Sequence, residues 1–241
     1  MKLFTCNVPL TLAELGLSEA ELTTLELVTV TADTPPQLTR GYALWHDAHG
    51  LALLGAELAQ PFRLKTAGLQ RRGQGRSALA TACGQQRGAV LDMFAGFAVD
   101  SLTLAAQGFT VTAIERHPLI WLMAWDYVRR SGMPIALHRG DGLDFMQECV
   151  GVPEWRVVYM DPMFPVRRKR ALPGLSAQIL QDLAGTNAPT NLPELLPQAL
   201  DVAPRVVVKR RAKDPVLATG DYRPAHQIKG RTVRFDVYLA S

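Results

Sequence analysis

From residue 89 onward, apolar β-branched runs alternate with segments of helical period, a pattern that restricts this stretch to a parallel sheet covered by helices. The spacing predicts strands over 90–94, 110–115, 135–139, 157–161 and 206–209, with helices near 98–107, 118–131, 141–149, 175–184 and 193–202. Pro118 suits a first helical position, and Ser131-Gly132 followed by Pro134 suits a helix end. The chain closes with 226–229 and an alternating run over 233–239 across Gly230, which predicts an antiparallel hairpin at the sheet edge. The expected fold class is therefore α/β, a doubly wound, mostly parallel, Rossmann-like sheet with a C-terminal antiparallel hairpin.

The first 60 residues read as a small α/β appendage. Thr11-x-x-Glu14 and Ser18-x-x-Glu21 have capping-box spacing, so a short helix or two is expected between 11 and 27. Tyr42-Ala-Leu-Trp-His and Leu51-Ala-Leu-Leu-Gly flank Asp47-Ala-His-Gly50 and predict a β-hairpin. Residues 61–88 form a linker in which Ser77 caps a short helix over 78–83. The expected division is residues 1–68 for the appendage and the start of the linker, and 69–241 for the main domain.

No stretch approaches the roughly 18 apolar residues of a membrane span, and the N-terminus lacks a secretory signal's apolar core. Cys6, Cys83 and Cys149 are odd in number, widely spaced and without His at ligand spacing. They read as buried free thiols in a reducing cytoplasm. The five His residues are scattered, so no metal site is expected.

Val90-Leu-Asp92-Met-Phe-Ala95-Gly96-Phe-Ala98-Val99-Asp100 is a strand running into a glycine turn and then a helix. In a doubly wound sheet, that turn lays backbone N–H groups beside a ligand, and Gly96 permits close approach. A dinucleotide site needs more glycines and a helix N-terminus free for a pyrophosphate. Here Asp92 and Asp100 flank the turn; two carboxylates repel a pyrophosphate and suit the ammonium of S-adenosylmethionine. Glu115 ends the second strand, where an acid can bind both ribose hydroxyls of an adenosine. Asp141 ends the third strand, where it either accepts from an adenine amine or simply caps the next helix, with Gly142 leaving room for the ring.

The fourth strand runs into Asp161-Pro162-Met163-Phe164-Pro165. Pro162 cannot continue a hydrogen-bond ladder, so Asp161 and Phe164 are expected at the strand's carboxyl end, where open α/β sheets bind ligands. Asp-Pro-x-aromatic after a strand is often a plain turn. It is also how enzymes that methylate exocyclic amines of nucleic-acid bases hold their target: carboxylate and carbonyl accept the amine's hydrogens, and the ring stacks on the base.

Charge is uneven along the chain. Residues 63–91 carry six bases and no acid, and residues 163–241 carry thirteen bases against six acids. Arg167-Arg168-Lys169-Arg170 follows the fourth strand and Lys209-Arg210-Arg211 the fifth. Both clusters are expected at the carboxyl edge of the sheet beside Asp161. A solvated basic face is one reading. The other is a phosphate-binding rim, extended by Arg71 and Arg72, around a base pocket.

With those residues in hand, the sequence from about 69 to 241 resembles the RsmJ-type methyltransferases. The motifs are Asp92-x-x-Ala95-Gly96-x-x-x-Asp100, Glu115-Arg116-x-Pro118, Val158-Tyr-Met-Asp161-Pro-Met-Phe-Pro165, Val206-Val-Val-Lys-Arg210 and Arg234-Phe-Asp-Val-Tyr238. The resemblance implies S-adenosylmethionine as cofactor, with contacts at Val99, Asp100, Glu115, Arg116, Asp141, Gly142 and Asp161. It implies the exocyclic N2 of a guanine in small-subunit ribosomal RNA, naked or in the 30S subunit, as substrate. The family's turn is usually Ala-Gly-Leu-Gly-Arg-Asp; here Ala98 replaces a glycine and Val99 an arginine. Ala98 is expected to narrow the cofactor turn, and Val99 to remove a polar contact. A DNA amine methyltransferase and a non-catalytic RNA-binding assembly factor stand as alternatives.

Overall fold

A computed structural model describes residues 2–6, 26–30, 34–69, 75, 77–151, 154–162, 174–184, 192–217, 220–230 and 232–240. Its larger sheet holds β5 (Ala89–Asp92), β6 (Thr110–Glu115), β7 (Ile135–Arg139), β8 (Trp155–Met160), β9 (Arg205–Arg211), β10 (His226–Lys229) and β11 (Val233–Leu239). The order across the sheet is β10-β11-β9-β8-β5-β6-β7. Neighbours from β7 to β9 are parallel, and β11 runs antiparallel between β9 and β10. Strand order reverses at β5, which has β6 on one side and β8 on the other; the crevice beyond its carboxyl end is where such sheets take ligands.

Both faces of this sheet are covered, which explains the unbroken apolar runs. Alternate residues of β8 point to opposite faces. Val158 and Met160 join Leu91, Val206 and Val208 under α6 (Leu192–Val202), through Leu195, Leu196 and Ala199. Val157 and Tyr159 join Val90, Val111 and Val207 against α1 (Ala78–Cys83) and α2 (Val99–Ala106). Ser77 caps α1 as expected, accepting the Ala80 N–H at 3.3 Å.

The smaller sheet has the order β2-β1-β3-β4, from β1 (Lys2–Cys6), β2 (Glu26–Val30), β3 (Tyr42–Asp47) and β4 (Gly50–Gly55). The β3–β4 hairpin is the one expected from sequence. Strands β1 and β2 were not anticipated; they pair in parallel. The helices expected between 11 and 27 fall outside the described residues up to 25, and 26–27 belong to β2 instead.

Leu3, Leu44, Leu51 and Leu53 of the small sheet share a core with Ile120, Leu122, Met123 and Tyr127 of α3 (Pro118–Ser131). The hairpin tip presses on the same helix. Gly50 sits at φ 95°, and a Cβ there would lie 2.7 Å from Asp126 Oδ1. Asp126 is itself buried and held by Arg130 at 2.6 Å, which also donates to the Leu64 carbonyl. The remaining helices are α4 (Gly142–Glu148) and α5 (Leu175–Ala184). No helix among the described residues is long and apolar enough to cross a membrane.

Candidate active site

β5 ends at Asp92, and the chain turns through 93–98 into α2. The turn is pinned on both sides: Met93 N–H donates to the Tyr159 carbonyl of β8 and Ala95 N–H to the Ile114 carbonyl of β6. Asp92 is 1% exposed. Its carboxylate accepts the Ser101 hydroxyl at 2.5 Å and the Phe94 N–H at 3.3 Å, clamping the turn to α2. Burial pushes this carboxyl up to about 7, against those two hydrogen bonds.

Gly96 and Ala98 both take left-handed backbone, at φ 54° and 56°. Glycine adopts that conformation freely, whereas for alanine it costs about 1–2 kcal/mol. Ala98 is fully buried and is absent from the cleft lining, which Gly96, Phe97 and Val99 form. The expectation that its methyl narrows the cofactor turn is therefore corrected: the substitution strains the backbone and leaves the cleft's width alone.

Glu115, at the end of β6, reaches back to this turn. Its carboxylate accepts the Gly96 N–H at 2.9 Å and the His117 N–H at 2.7 Å. Burial pushes it up to about 7, opposed by those N–H groups. Asp141 caps α4 by accepting the Leu143 N–H at 2.8 Å, and it also lines the cleft, 3.5 Å from Arg116. The capping reading holds, and the capping side chain still faces the cleft. A Cβ on Gly142 would fall 2.2 Å from the Met93 carbonyl oxygen, so glycine is demanded here by the backbone at the end of β5. Gly142 also lines the cleft.

Across the crevice, Asp161 follows β8 and Lys209 lies in β9. The Lys209 ammonium donates to Asp161 Oδ2 at 2.8 Å and to Asp100 Oδ2 at 2.6 Å. Tyr159 donates its hydroxyl to the same Asp100 oxygen at 2.6 Å. Burial pushes Asp161 up to about 6, with Lys209 opposing and Asp100 adding to the rise. Burial works against the charge on Lys209, and the two carboxylates outweigh it, holding the ammonium above its usual range.

These groups line one cleft of about 950 Å³, running from Glu115 and Asp141 past Gly96 to Asp161 and Pro162. Leu180 of α5 and Leu195 of α6 wall its far side. Asp92, Ala95, Val99, Asp100, Arg116, Gly142, Lys209 and Arg210 line it too, so the described residues expected at the site are brought together. Lys209 and Arg210 differ from the surface cations envisaged for a phosphate rim. Lys209 is engaged by two carboxylates, and Arg210 is 9% exposed and donates to the Pro215 carbonyl. Phe164, Arg71, Arg72, Arg167, Arg168 and Lys169 lie outside the described residues. Sequence reasoning missed Ser101, Tyr159 and the α5 wall. Nothing marks a serine nine residues beyond Asp92 or a tyrosine inside an apolar run as partners of acids.

The donor set fits a sulfonium nucleoside. The cleft is anionic beside the turn, a balance that suits an ammonium: one lysine faces Asp100 and Asp161, and Asp92 stands beside them. Glu115 and Asp141 add two further carboxylates to the same cleft. The fold and this cleft define an S-adenosylmethionine-dependent methyltransferase. Residues 57–240 match the family described as "Putative SAM-dependent methyltransferase". A protein from Marinobacter nauticus named ribosomal RNA small subunit methyltransferase J is 35% identical, over 94% of this chain and 88% of its own length. One of the same name from Pseudoalteromonas translucida is 36% identical over 83% and 85%. The crystal structure of a SAM-dependent methyltransferase from Neisseria gonorrhoeae covers 100% of this chain and 96% of its own, with TM-score 0.65 and 25% identity. The chain belongs to the ribosomal RNA small subunit methyltransferase J family.

Proposed function

We propose that this enzyme methylates the exocyclic N2 amine of a guanine in small-subunit ribosomal RNA, with Asp161 as the acceptor for the amine's hydrogens. The observation that carries this reading is the position of Asp161: it ends β8 in the same cleft as Gly96, Glu115 and Asp141, the groups suited to the cofactor. The relatives' shared name supports ribosomal RNA as the substrate class. An RNA substrate of this kind puts the work in the cytoplasm, on free RNA or the 30S subunit.

When bound, S-adenosylmethionine supplies an electrophilic methyl group on a sulfonium. Glu115 would take the ribose hydroxyls, Asp141 the adenine amine, and the Asp92–Asp100 side of the turn the ammonium, with Ala95, Gly96, Val99, Arg116 and Gly142 shaping the seat. Methyl transfer is an in-line displacement, so the protein's main task is alignment. An exocyclic amine is a weak nucleophile because its lone pair is delocalised into the ring. A hydrogen bond from the amine to the Asp161 carboxylate returns density to nitrogen and takes up the positive charge that develops on it. Phe164 is assigned to stacking on the base, which must first be unstacked from its neighbours. Arg71, Arg72, Arg167, Arg168 and Lys169 are assigned to phosphates. The division into an appendage over 1–68 and a methyltransferase domain over 69–241 gives the small sheet the task of bracing α3.

Asp161→Ala tests the assignment. Transfer to RNA is expected to fall by at least about a hundredfold, the lower range for a positioned acid–base group, while cofactor binding by calorimetry persists. Full activity in a folded Asp161→Ala protein would remove Asp161 from the mechanism, and faster methylation of duplex DNA than of ribosomal RNA would reverse the substrate.

A further inference from the structure

Lys209 reaches Asp161 because of strand register. β8 and β9 are parallel neighbours with Met160 opposite Val208, so the next residue on each strand, Asp161 and Lys209, emerge side by side at the carboxyl edge. From there the ammonium spans the crevice to Asp100 in the first turn of α2. One charged group therefore binds a carboxylate on the cofactor side of the cleft and another on the side assigned to the base. Both contacts use an Oδ2 atom.

We propose that Lys209 is a positioning residue: it fixes the Asp161 carboxylate by one oxygen, keeps it charged, and ties it to Asp100 across the cleft. The proposal rests on the reading of Asp161 as the acceptor. A part-buried carboxylate beside Asp100 tends to take up a proton, and a protonated Asp161 offers a weaker acceptor to the amine. The groups facing it are Lys209 from β9, Asp100 from α2 with the Tyr159 hydroxyl bound to it, and Asp92 beyond. Among the described residues Lys209 is the one cation in that set, and burial has already moved Asp161 up to about 6 with the lysine in place. This role also accounts for a lysine in a basic run that does not present its charge to solvent.

The test uses the full chain without cofactor. The carboxyl carbon of Asp161 is titrated by carbon-13 NMR in the wild type, Lys209→Met and Lys209→Arg, and the acid limb of methyl transfer is measured in parallel. Lys209→Met is expected to raise the Asp161 midpoint by about one pH unit or more, the effect of losing an adjacent opposite charge, and to move the acid limb with it. Lys209→Arg, which keeps the charge, is expected to restore the wild-type midpoint. If Lys209→Met unfolds, Lys209→Gln replaces it with the same expected shift. An unchanged midpoint in either neutral variant overturns the proposal. A raised midpoint together with a fully active, folded Asp161→Ala protein leaves the lysine–carboxylate tie standing and removes the acceptor reading instead.

Discussion

Gly96 donates its backbone N–H to Glu115 Oε2 at 2.9 Å, joining the turn after β5 to the carboxyl end of β6. One acid thus shapes the turn and lines the cleft that the turn borders. Glu115→Ala strips the half-buried Gly96 and His117 N–H groups of their acceptor, at a cost of about 1 kcal/mol for each group left unpaired. Cofactor affinity is expected to fall about tenfold or more, and the thermal midpoint to drop. Calorimetry and a melting curve check both. Glu115→Gln, which keeps an acceptor oxygen, is expected to retain most of the stability.

Ala98 gives the turn a test of backbone strain. Replacing a buried alanine by glycine normally destabilises, through the lost methyl and the freer unfolded chain, by about 1–2 kcal/mol in total. At φ 56° the glycine also relieves about 1–2 kcal/mol of left-handed strain. Ala98→Gly is therefore expected to match the wild type in urea unfolding to within about 0.5 kcal/mol on this offset. Ala82→Gly, equally buried but inside α1, is the control and is expected to lose about 2 kcal/mol.

Gly142 admits no side chain. The Met93 carbonyl stands 2.2 Å from where a Cβ would sit, and it is backbone at the end of a central strand. Gly142→Ala is expected to cost about 2 kcal/mol or more by forcing α4 away from β5. Denaturant unfolding measures this directly, and cofactor affinity is expected to fall with it.

Asp92 makes stability depend on pH. Its folded value of about 7 lies above the unfolded value of about 3.9. The native state therefore holds the proton more tightly, and the contribution of this group is largest below pH 4 and is lost as pH rises through 7. Asp92→Asn removes that titration. Between pH 4 and 7 the variant is expected to gain on the wild type by on the order of 2–4 kcal/mol, measured as the difference between urea unfolding free energies across the range.

Much of this was legible in the chain. The strands of the large sheet show because they are apolar on both faces, and helices such as 118–131 show because Pro118 and Gly132 punctuate them. The acids at successive strand ends were legible for the same reason: once the strands are placed, Asp92, Glu115, Asp141 and Asp161 must share an edge. What stayed hidden depends on partners distant in sequence. Lys209 reads as part of a surface basic run, and its role emerges only when register sets it beside Asp161 and the fold brings Asp100, 109 residues away, to the same ammonium. Ala98 reads as a bulkier lining residue, because sequence does not tell a methyl in the cleft from a methyl in the core. β2 carried a usable signal in its Val-Thr-Val ending, masked by the acidic, helix-favouring residues before it.

The most direct test of the account is transfer of labelled methyl from S-adenosylmethionine to purified 30S subunits and to free small-subunit ribosomal RNA, followed by nucleoside analysis. The account expects label in N2-methylguanosine, abolished in Asp161→Ala. Label in another nucleoside, or cofactor binding with no transfer to either RNA form, would contradict it.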